Sequence, residues 1–186
     1  GGKRAISAFV TTEKLFKKAY GKRKECNTHS TTFGGLGESC AVAIETLKVL
    51  EDENLISEAA EKGDYLIRKL EALKERYPKS IKAIKGRGLL LGIQFNYEEQ
   101  LIKRIFPKNK LGMNETVDSL FIASIVRELY RKYDILSFFA SNDTLQVMPP
   151  LIVTYNQMDQ FIEAINGILE TGFSKLSLKL LKSNLI

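Results

Sequence analysis

The change of hydrophobic period at Pro78 constrains this chain more than any other feature. Upstream, Cys40, Ile44, Leu47, Leu50, Leu55, Ala59, Leu66, Leu70, Leu73 and Tyr77 recur at spacings near three, four and seven. That spacing lays one apolar stripe along a long helix, or along two helices in tandem. Glu51-Asp52-Glu53-Asn54 is the expected break between the two. Pro78 ends the run, because its ring cannot continue a helix. Downstream the texture becomes that of strands. Ile81 to Phe95 reads as two strands joined through Gly86 and Gly88, and Ile135–Ala140 and Thr144–Met148 read as two more around a Ser141-Asn142-Asp143 turn.

The remaining segments fit around this frame. Ala5 to Val10 reads as a short buried strand, and Thr11-Thr12-Glu13 opens a short helix through about Tyr20. Val117 to Tyr133 is a helix with Leu120, Phe121, Ser124, Ile125 and Leu129 on one side. Thr154 is the expected cap of a last core helix that turns Met158, Phe161, Ile162, Ile165 and Leu169 inward. Residues 96–114 read as a polar, irregular connection, and Phe173 to Ile186 as a weakly amphipathic tail. The whole is an α/β arrangement. Its strands are too few for a large independent parallel sheet. The part from about Lys82 is expected to form an antiparallel sheet with helices on one face.

Composition excludes several classes. The 186 residues are 44% hydrophobic with two cysteines and one histidine, which rules out collagen-like, disulfide-scaffold and largely disordered chains. No stretch approaches the roughly 20 apolar residues that span a bilayer. Cys26, Cys40 and His29 show no metal-ligand spacing. The two thiols imply no disulfide framework, and a reducing cytoplasm is the expected location. Net charge is +6, and residues 1–24 alone carry eight basic side chains against Glu13. A solvated basic face is the plain reading. No RNA-binding motif or interleaved aromatic pattern supports nucleic acid as a partner.

The residues that point to chemistry run from Ser30 to Gly37: Ser30-Thr31-Thr32-Phe33-Gly34-Gly35-Leu36-Gly37. Glycines let a backbone approach a ligand closely and expose its N–H groups. A following helix start adds partial positive charge and unpaired N–H groups. With the Thr31 and Thr32 hydroxyls, this set suits a phosphate or a carboxylate. A glycine-rich turn that merely caps the helix is the simpler reading of the same residues. The segment lacks the Gly-Lys-Ser/Thr ending of nucleotide-hydrolase phosphate loops. Ser30 reads as a turn or capping residue. His29 has no evident Ser, Cys or carboxylate partner and reads as structural.

Four motifs carry a family resemblance over residues 1 to about 170. They are Gly1-Gly2 followed by Ile6-Ser7-Ala8-Phe9-Val10; His29-Ser30-Thr31-Thr32-Phe33-Gly34-Gly35; Lys85-Gly86-Arg87-Gly88-Leu89-Leu90-Leu91-Gly92-Ile93; and Val147-Met148-Pro149-Pro150-Leu151. In order and spacing they resemble the carboxy-terminal part of class III, pyridoxal-phosphate-dependent aminotransferases. This is the group of ornithine, acetylornithine, 4-aminobutyrate and putrescine aminotransferases. The resemblance implies a fragment of the fold type I pyridoxal-phosphate transferase architecture. Residues 1–37 would end the large cofactor-binding domain, 38–78 would be connecting helices, 79–170 the small α+β C-terminal domain, and 171–186 a C-terminal extension.

The resemblance also implies functional residues. Thr32, with Thr31 as a weaker candidate, would donate to the phosphate of pyridoxal 5'-phosphate across a homodimer interface. Two positions depart from the family pattern. Leu36-Gly37 stands where Asn-Pro is frequent. Gln146 stands three residues before Pro-Pro-Leu, where the family usually has an arginine that clamps the substrate carboxylate. Gln146 is thus the substrate-binding candidate, without the charge or the two-pronged fork of arginine; it also reads as a plain polar strand residue. Amine, aldehyde or carrier-bound substrates fit that change. The family's Schiff-base lysine would lie just before Gly1, and Lys3 is on the wrong side of the glycines to be it. The expectation is a cytoplasmic homodimeric parent that moves an amino group from an amine or amino acid to a keto acid or aldehyde. The chain alone, with no catalytic residue, is expected to be inactive. A non-catalytic dimerisation or interaction domain, and a decarboxylase or aminomutase on the same scaffold, are the alternatives. No membrane or nucleic-acid partner is expected.

Overall fold

The computed structural model describes residues 2–25, 31–96, 114–173, 175 and 176. They belong to two compact units, Gly1–Ile56 and Ser57–Ile186. The expected connection at 96–114 lies almost wholly outside the described residues, as do Cys26, His29, Ser30 and the tail beyond Leu176.

The first unit contains helix α1 (Glu13–Tyr20) and helix α2 (Gly37–Asp52). Thr12 caps α1, its hydroxyl accepting the Leu15 N–H at 3.4 Å. The strand expected over Ala5 to Val10 does not form. Those residues have no strand pairing, and Phe9 and Val10 are 59% and 97% exposed. A buried strand needs a paired neighbour for its backbone groups and a covering layer for its side chains. Neither is supplied to this segment by the described residues. For the same reason the α2 half of the apolar stripe, with Ile44 and Leu47, lies exposed.

Helix α3 (Leu55–Arg76) follows α2 directly. The break falls within the expected acidic segment. There Asn54 adopts φ 51°, a left-handed conformation that asparagine tolerates better than most residues. Along α3 the stripe is buried at Leu55, Leu66, Leu70 and Leu73.

The second unit is built on a four-stranded antiparallel sheet: β1 (Ile81–Arg87), β2 (Leu90–Phe95), β3 (Phe138–Ser141) and β4 (Thr144–Val147), in the order β1-β2-β4-β3. Helix α4 (Asn114–Tyr133) precedes β3, and helix α5 (Tyr155–Thr171) follows β4. The β2–β4 register pairs Leu91 with Val147 and Ile93 with Leu145. Period-two alternation therefore puts Leu91, Ile93, Phe95, Leu145 and Val147 on one buried face. Phe121, Ile122, Ile125 and Leu129 of α4 and Met158, Ala164, Ile165, Ile168 and Leu169 of α5 join the same core. The α4 face expected from the sequence is buried at Phe121, Ser124, Ile125 and Leu129. The beginning of the expected tail also enters the core: the Phe173 ring meets Phe95 and Phe121 edge-on at 5.5 and 4.9 Å.

Three local devices fix this arrangement. Thr154 caps α5 through a reciprocal box with Gln157. Tyr65 on α3 donates to the Asp159 carboxylate on α5 at 2.6 Å, with Lys69 3.4 Å from the same oxygen. At the β3–β4 turn, the Asp143 carboxylate accepts from Gln94 of β2 at 2.8 Å, Thr144 at 2.7 Å and Ser141 at 2.8 Å. The Asp143 backbone carbonyl accepts the Phe95 N–H at 2.8 Å. One residue thus joins three strands.

The glycines of the Lys85 to Gly92 segment have a packing reason. A Cβ on Gly63 of α3 would lie 2.4 Å from the backbone of Gly88. Gly88 itself turns at φ +55°. The helix therefore lies directly against the β1–β2 turn. Gly63→Ala should gain about 1 kcal/mol of helix preference. It should lose more to the backbone clash, since overpacking costs about 1–3 kcal/mol and backbone on both sides leaves no flexible atom to yield. Urea unfolding should show a net loss of stability and an unchanged m-value.

Acid sensitivity follows from Asp143. Burial by itself pushes its carboxyl up, but the bonds from Gln94, Thr144 and Ser141 and the charge of Lys82 together hold it below the ordinary carboxylate range. The unfolded chain then binds the proton more readily. The contribution of this group is complete above the unfolded value near about 4 and disappears as pH falls through the lower folded value. Asp143→Asn should flatten the acid side of the stability–pH curve below about pH 4, read by chemical denaturation across pH 2 to 7.

Candidate functional site

The loop before α2 is assembled almost entirely from backbone. The Gly34 N–H donates to the Thr31 carbonyl at 3.0 Å, and the Leu36 N–H to the Phe33 carbonyl at 3.3 Å. Between them Gly35 turns at φ +69°, a region that penalises any residue with a side chain. The Leu36 carbonyl then accepts the Cys40 N–H at 3.0 Å and opens the helix.

Leu36 occupies the cap position and has no side-chain oxygen to offer, and no capping hydrogen bond is made there. The first-turn N–H groups of α2 therefore lack the side-chain acceptor that a Ser, Thr or Asp cap supplies. Residues 31–38 are all exposed. A Cβ on Gly35 or Gly37 would meet nothing within 4 Å. The loop thus presents two hydroxyls, from Thr31 and Thr32, beside glycine backbone and a helix start. The acidic side chain of the first turn, Glu38, is ion-paired with Arg4. Donors without an uncompensated carboxylate form a suitable partial shell for a phosphate ester. Gly2 lies against the flank of α2, where a Cβ would come 3.2 Å from the Val42 side chain.

The second unit holds Gln146. It lies on β4 opposite Gly92 on one side and Phe138 on the other. Its neighbours Leu145 and Val147 are buried in the core, so alternation puts Gln146 on the opposite, half-buried face. Gly92 has no side chain to crowd it. Gln146 also lines a cleft of about 830 Å³, together with the segment after α4 (Asp134 to Phe138), the Met148-Pro149-Pro150 segment and the start of α5. Thr31 and Thr32 share one loop of the first unit, whereas Gln146 belongs to the second.

One buried charged residue was not foreseen. Lys62 is 8% exposed, and its ammonium donates to Glu58 at 2.6 Å and to the Leu151 carbonyl at 3.3 Å. It ties α3 to the segment that follows β4. The signal was present in the sequence. Position 62 lies on the stripe, three residues after Ala59 and four before Leu66, where a lysine is out of place unless its charge is engaged.

The class-III aminotransferase family matches residues 1–169. The chain belongs to this family. Solved structures similar to it agree. Ornithine delta-aminotransferase of Plasmodium falciparum shares 26% identity over 80% of this chain and 32% of its own, with a TM-score of 0.54. Lysine aminotransferase of M. tuberculosis shares 25% over 68% of this chain and 24% of its own, at a TM-score of 0.52. An S-selective transaminase from Arthrobacter sp. shares the fold at 23% identity and a TM-score of 0.55, covering 76% of this chain and 29% of its own. The chain thus spans only about a quarter to a third of the length of these structures. Within that span its α/β fold corresponds to part of the transaminase fold. Among the described residues, no helix is long and apolar enough to cross a membrane.

The wall of the cleft offers a direct test of its shape. A Cβ on Gly167 of α5 would lie 2.2 Å from the Tyr133 hydroxyl, and Tyr133 is a cleft residue. Gly167→Ala should therefore displace the Tyr133 ring with little net change in stability, because the contact is with the far end of a side chain and alanine favours the helix. The ring resonances of Tyr133 should shift in NMR spectra while those of Tyr65, held by Asp159, stay in place.

Proposed function

We propose that the chain is the C-terminal portion of a pyridoxal-phosphate-dependent aminotransferase. Residues 1–37 end its large domain, 38–78 connect, 79–170 form its small domain and 171–186 extend from it. The parent acts as a cytoplasmic homodimer on a small-molecule amino donor and a keto acid or aldehyde acceptor. Membership of the class-III aminotransferase family over residues 1–169 is the observation that carries this reading.

Pyridoxal phosphate, when bound, supplies the electron sink that makes amino transfer possible. The residues of this chain do the holding. The Thr32 hydroxyl, assisted by Thr31 and by the N–H groups at the start of α2, binds the phosphate. The uncapped helix start adds favourable charge there. Arg4 neutralises Glu38, so that the carboxylate does not oppose the phosphate. Gln146 contacts the substrate by hydrogen bonding without a formal charge. Lys3 and the remaining lysines do not occupy the family's Schiff-base position, so the 186 residues alone transfer no amino group.

The exposed apolar residues of the first unit, Val10, Phe33 and Leu47 among them, support a second reading. In it the chain serves as a non-catalytic dimerisation or interaction domain. The two readings separate on a full-length parent. Thr32→Ala should weaken retention of pyridoxal phosphate by about 1.5–3 kcal/mol, the range for a hydrogen bond to a charged group. Equilibrium dialysis of the cofactor measures this. Unchanged retention removes Thr32 from the site, and failure of the parent to bind the cofactor at all leaves the interaction reading.

A further inference from the structure

Met148, Pro149, Pro150 and Ile152 line one side of the cleft, and little of their own chemistry holds them there. Strand β4 ends at Val147, so the sheet ladder stops short of them. Pro149 and Pro150 have no N–H to donate. Between the buried side chains of Val147 and Val153, Met148 and Ile152 are 52% and 69% exposed, so burial does not anchor the segment either. One turn bond is made within it, from the Val153 N–H to the Pro150 carbonyl at 2.9 Å. Among the described residues, the hydrogen bond that joins this segment to another element comes from Lys62 of α3. Its ammonium donates to the Leu151 carbonyl at 3.3 Å.

Lysine is a costly residue for that position. The Lys62 side chain is 11% exposed, whereas that of its partner Glu58 is 48% exposed. The ammonium is thus held among protein groups rather than in water. Lys62 lies on the apolar stripe, where an apolar side chain would pack without desolvating a charge, and exchanging a buried ion pair for apolar groups is often neutral or stabilising. Packing alone therefore does not call for a lysine. Glu58 steadies the ammonium from one turn earlier at 2.6 Å, in the favourable order with the acid on the N-terminal side. Lys62 is not among the residues that line the cleft, so its effect on a ligand passes through Leu151.

We infer that Lys62 is a positioning residue for the cleft: its bond to the Leu151 carbonyl holds the Pro149-Pro150-Leu151 turn in place and thereby sets the affinity for the ligand that the cleft takes. A bond from an ionised donor is roughly twice as strong as a neutral one, which suits a segment with so few other ties. Resting on the aminotransferase reading, that ligand is the amino donor.

The test compares Lys62→Met, Lys62→Gln and Lys62→Arg in a full-length parent. Hydrogen exchange read by mass spectrometry follows the segment. Lys62→Met keeps an apolar stem and loses the charge. It should speed exchange at the Val153 N–H by roughly tenfold, the lower end for loss of a hydrogen bond from a charged group, while peptides from the middle of α3 keep their rates. KM for the amino donor should rise by about 3- to 10-fold, more than kcat falls, as for lost ground-state binding. Lys62→Arg supplies a charged donor again and should return both quantities toward those of the unmodified parent. Lys62→Gln should behave as Lys62→Met does, and it replaces that variant if the methionine protein fails to fold. Unchanged exchange at Val153, exchange that rises equally throughout the second unit, an unchanged KM, or an arginine variant no better than methionine would each overturn the inference alone. A parent that transfers no amino group would overturn the functional reading instead, and the exchange comparison would still decide the role of Lys62.

Discussion

The close approach of α3 to the β1–β2 turn is the constraint on which the second unit depends. Gly63 and Gly88 meet with no side chain between them, because a Cβ on Gly63 would lie 2.4 Å from the Gly88 backbone. That contact fixes the height of the helix over the hairpin. Leu66, Leu70 and Leu73 can then reach the core shared by the sheet and the two later helices. The same helix delivers Lys62 to the Leu151 carbonyl and Tyr65 to Asp159. The post-β4 segment and the start of α5, both of which line the cleft, are thereby tied to it. Residues whose spacing resembles a family motif turn out to have a packing role here: Gly86 and Gly88 shape the hairpin turn, and Gly92 leaves room for the Thr144 methyl.

The polar devices divide the work differently. Asp143 closes three strands from one turn; burial alone would push its carboxyl up, and the three hydrogen bonds it accepts, with the charge of Lys82, turn that into a net lowering. Asp159 is more exposed, and its carboxyl is lowered first by the Tyr65 hydroxyl and then by Lys69. The first belongs to the sheet, the second to the seam between α3 and α5. In the first unit the comparable contact is the Arg4–Glu38 pair, which is exposed on both sides and so contributes little to stability. Its effect is local: it balances a negative charge at the helix start where a phosphate is proposed to sit.

Much of the second unit was legible in the sequence because its signals are local. Both strand pairs, the Thr154 cap and the buried face of α4 follow from period, turn chemistry and capping, as does the break near Asn54 in the first unit. The strand expected at Ala5 to Val10 failed for a physical reason. Apolar residues specify a strand only where another strand pairs with it, and pairing is a tertiary fact that local composition does not contain. The same limit applies to the α2 stripe, whose Ile44 and Leu47 remain exposed. For the candidate site, the Thr31–Gly37 loop was readable from glycines and hydroxyls, and Gln146 from its place before Pro-Pro-Leu. The cleft was not, because Leu66, Ser137, Gln146 and Met158 come from four separate stretches of chain. Lys62 was readable as a charge on an apolar stripe, but its partner at Leu151 lies 89 residues away.

We propose that the loop before α2 holds the phosphate of pyridoxal phosphate through Thr32. The most direct measurement is an experimental structure of a full-length parent with pyridoxal phosphate bound. In it the Thr32 hydroxyl oxygen should lie within hydrogen-bond distance of a phosphate oxygen, about 2.5–3.0 Å, with N–H groups at the start of α2 directed at the same phosphate. A phosphate held entirely by other residues, with Thr32 turned to solvent, would contradict it.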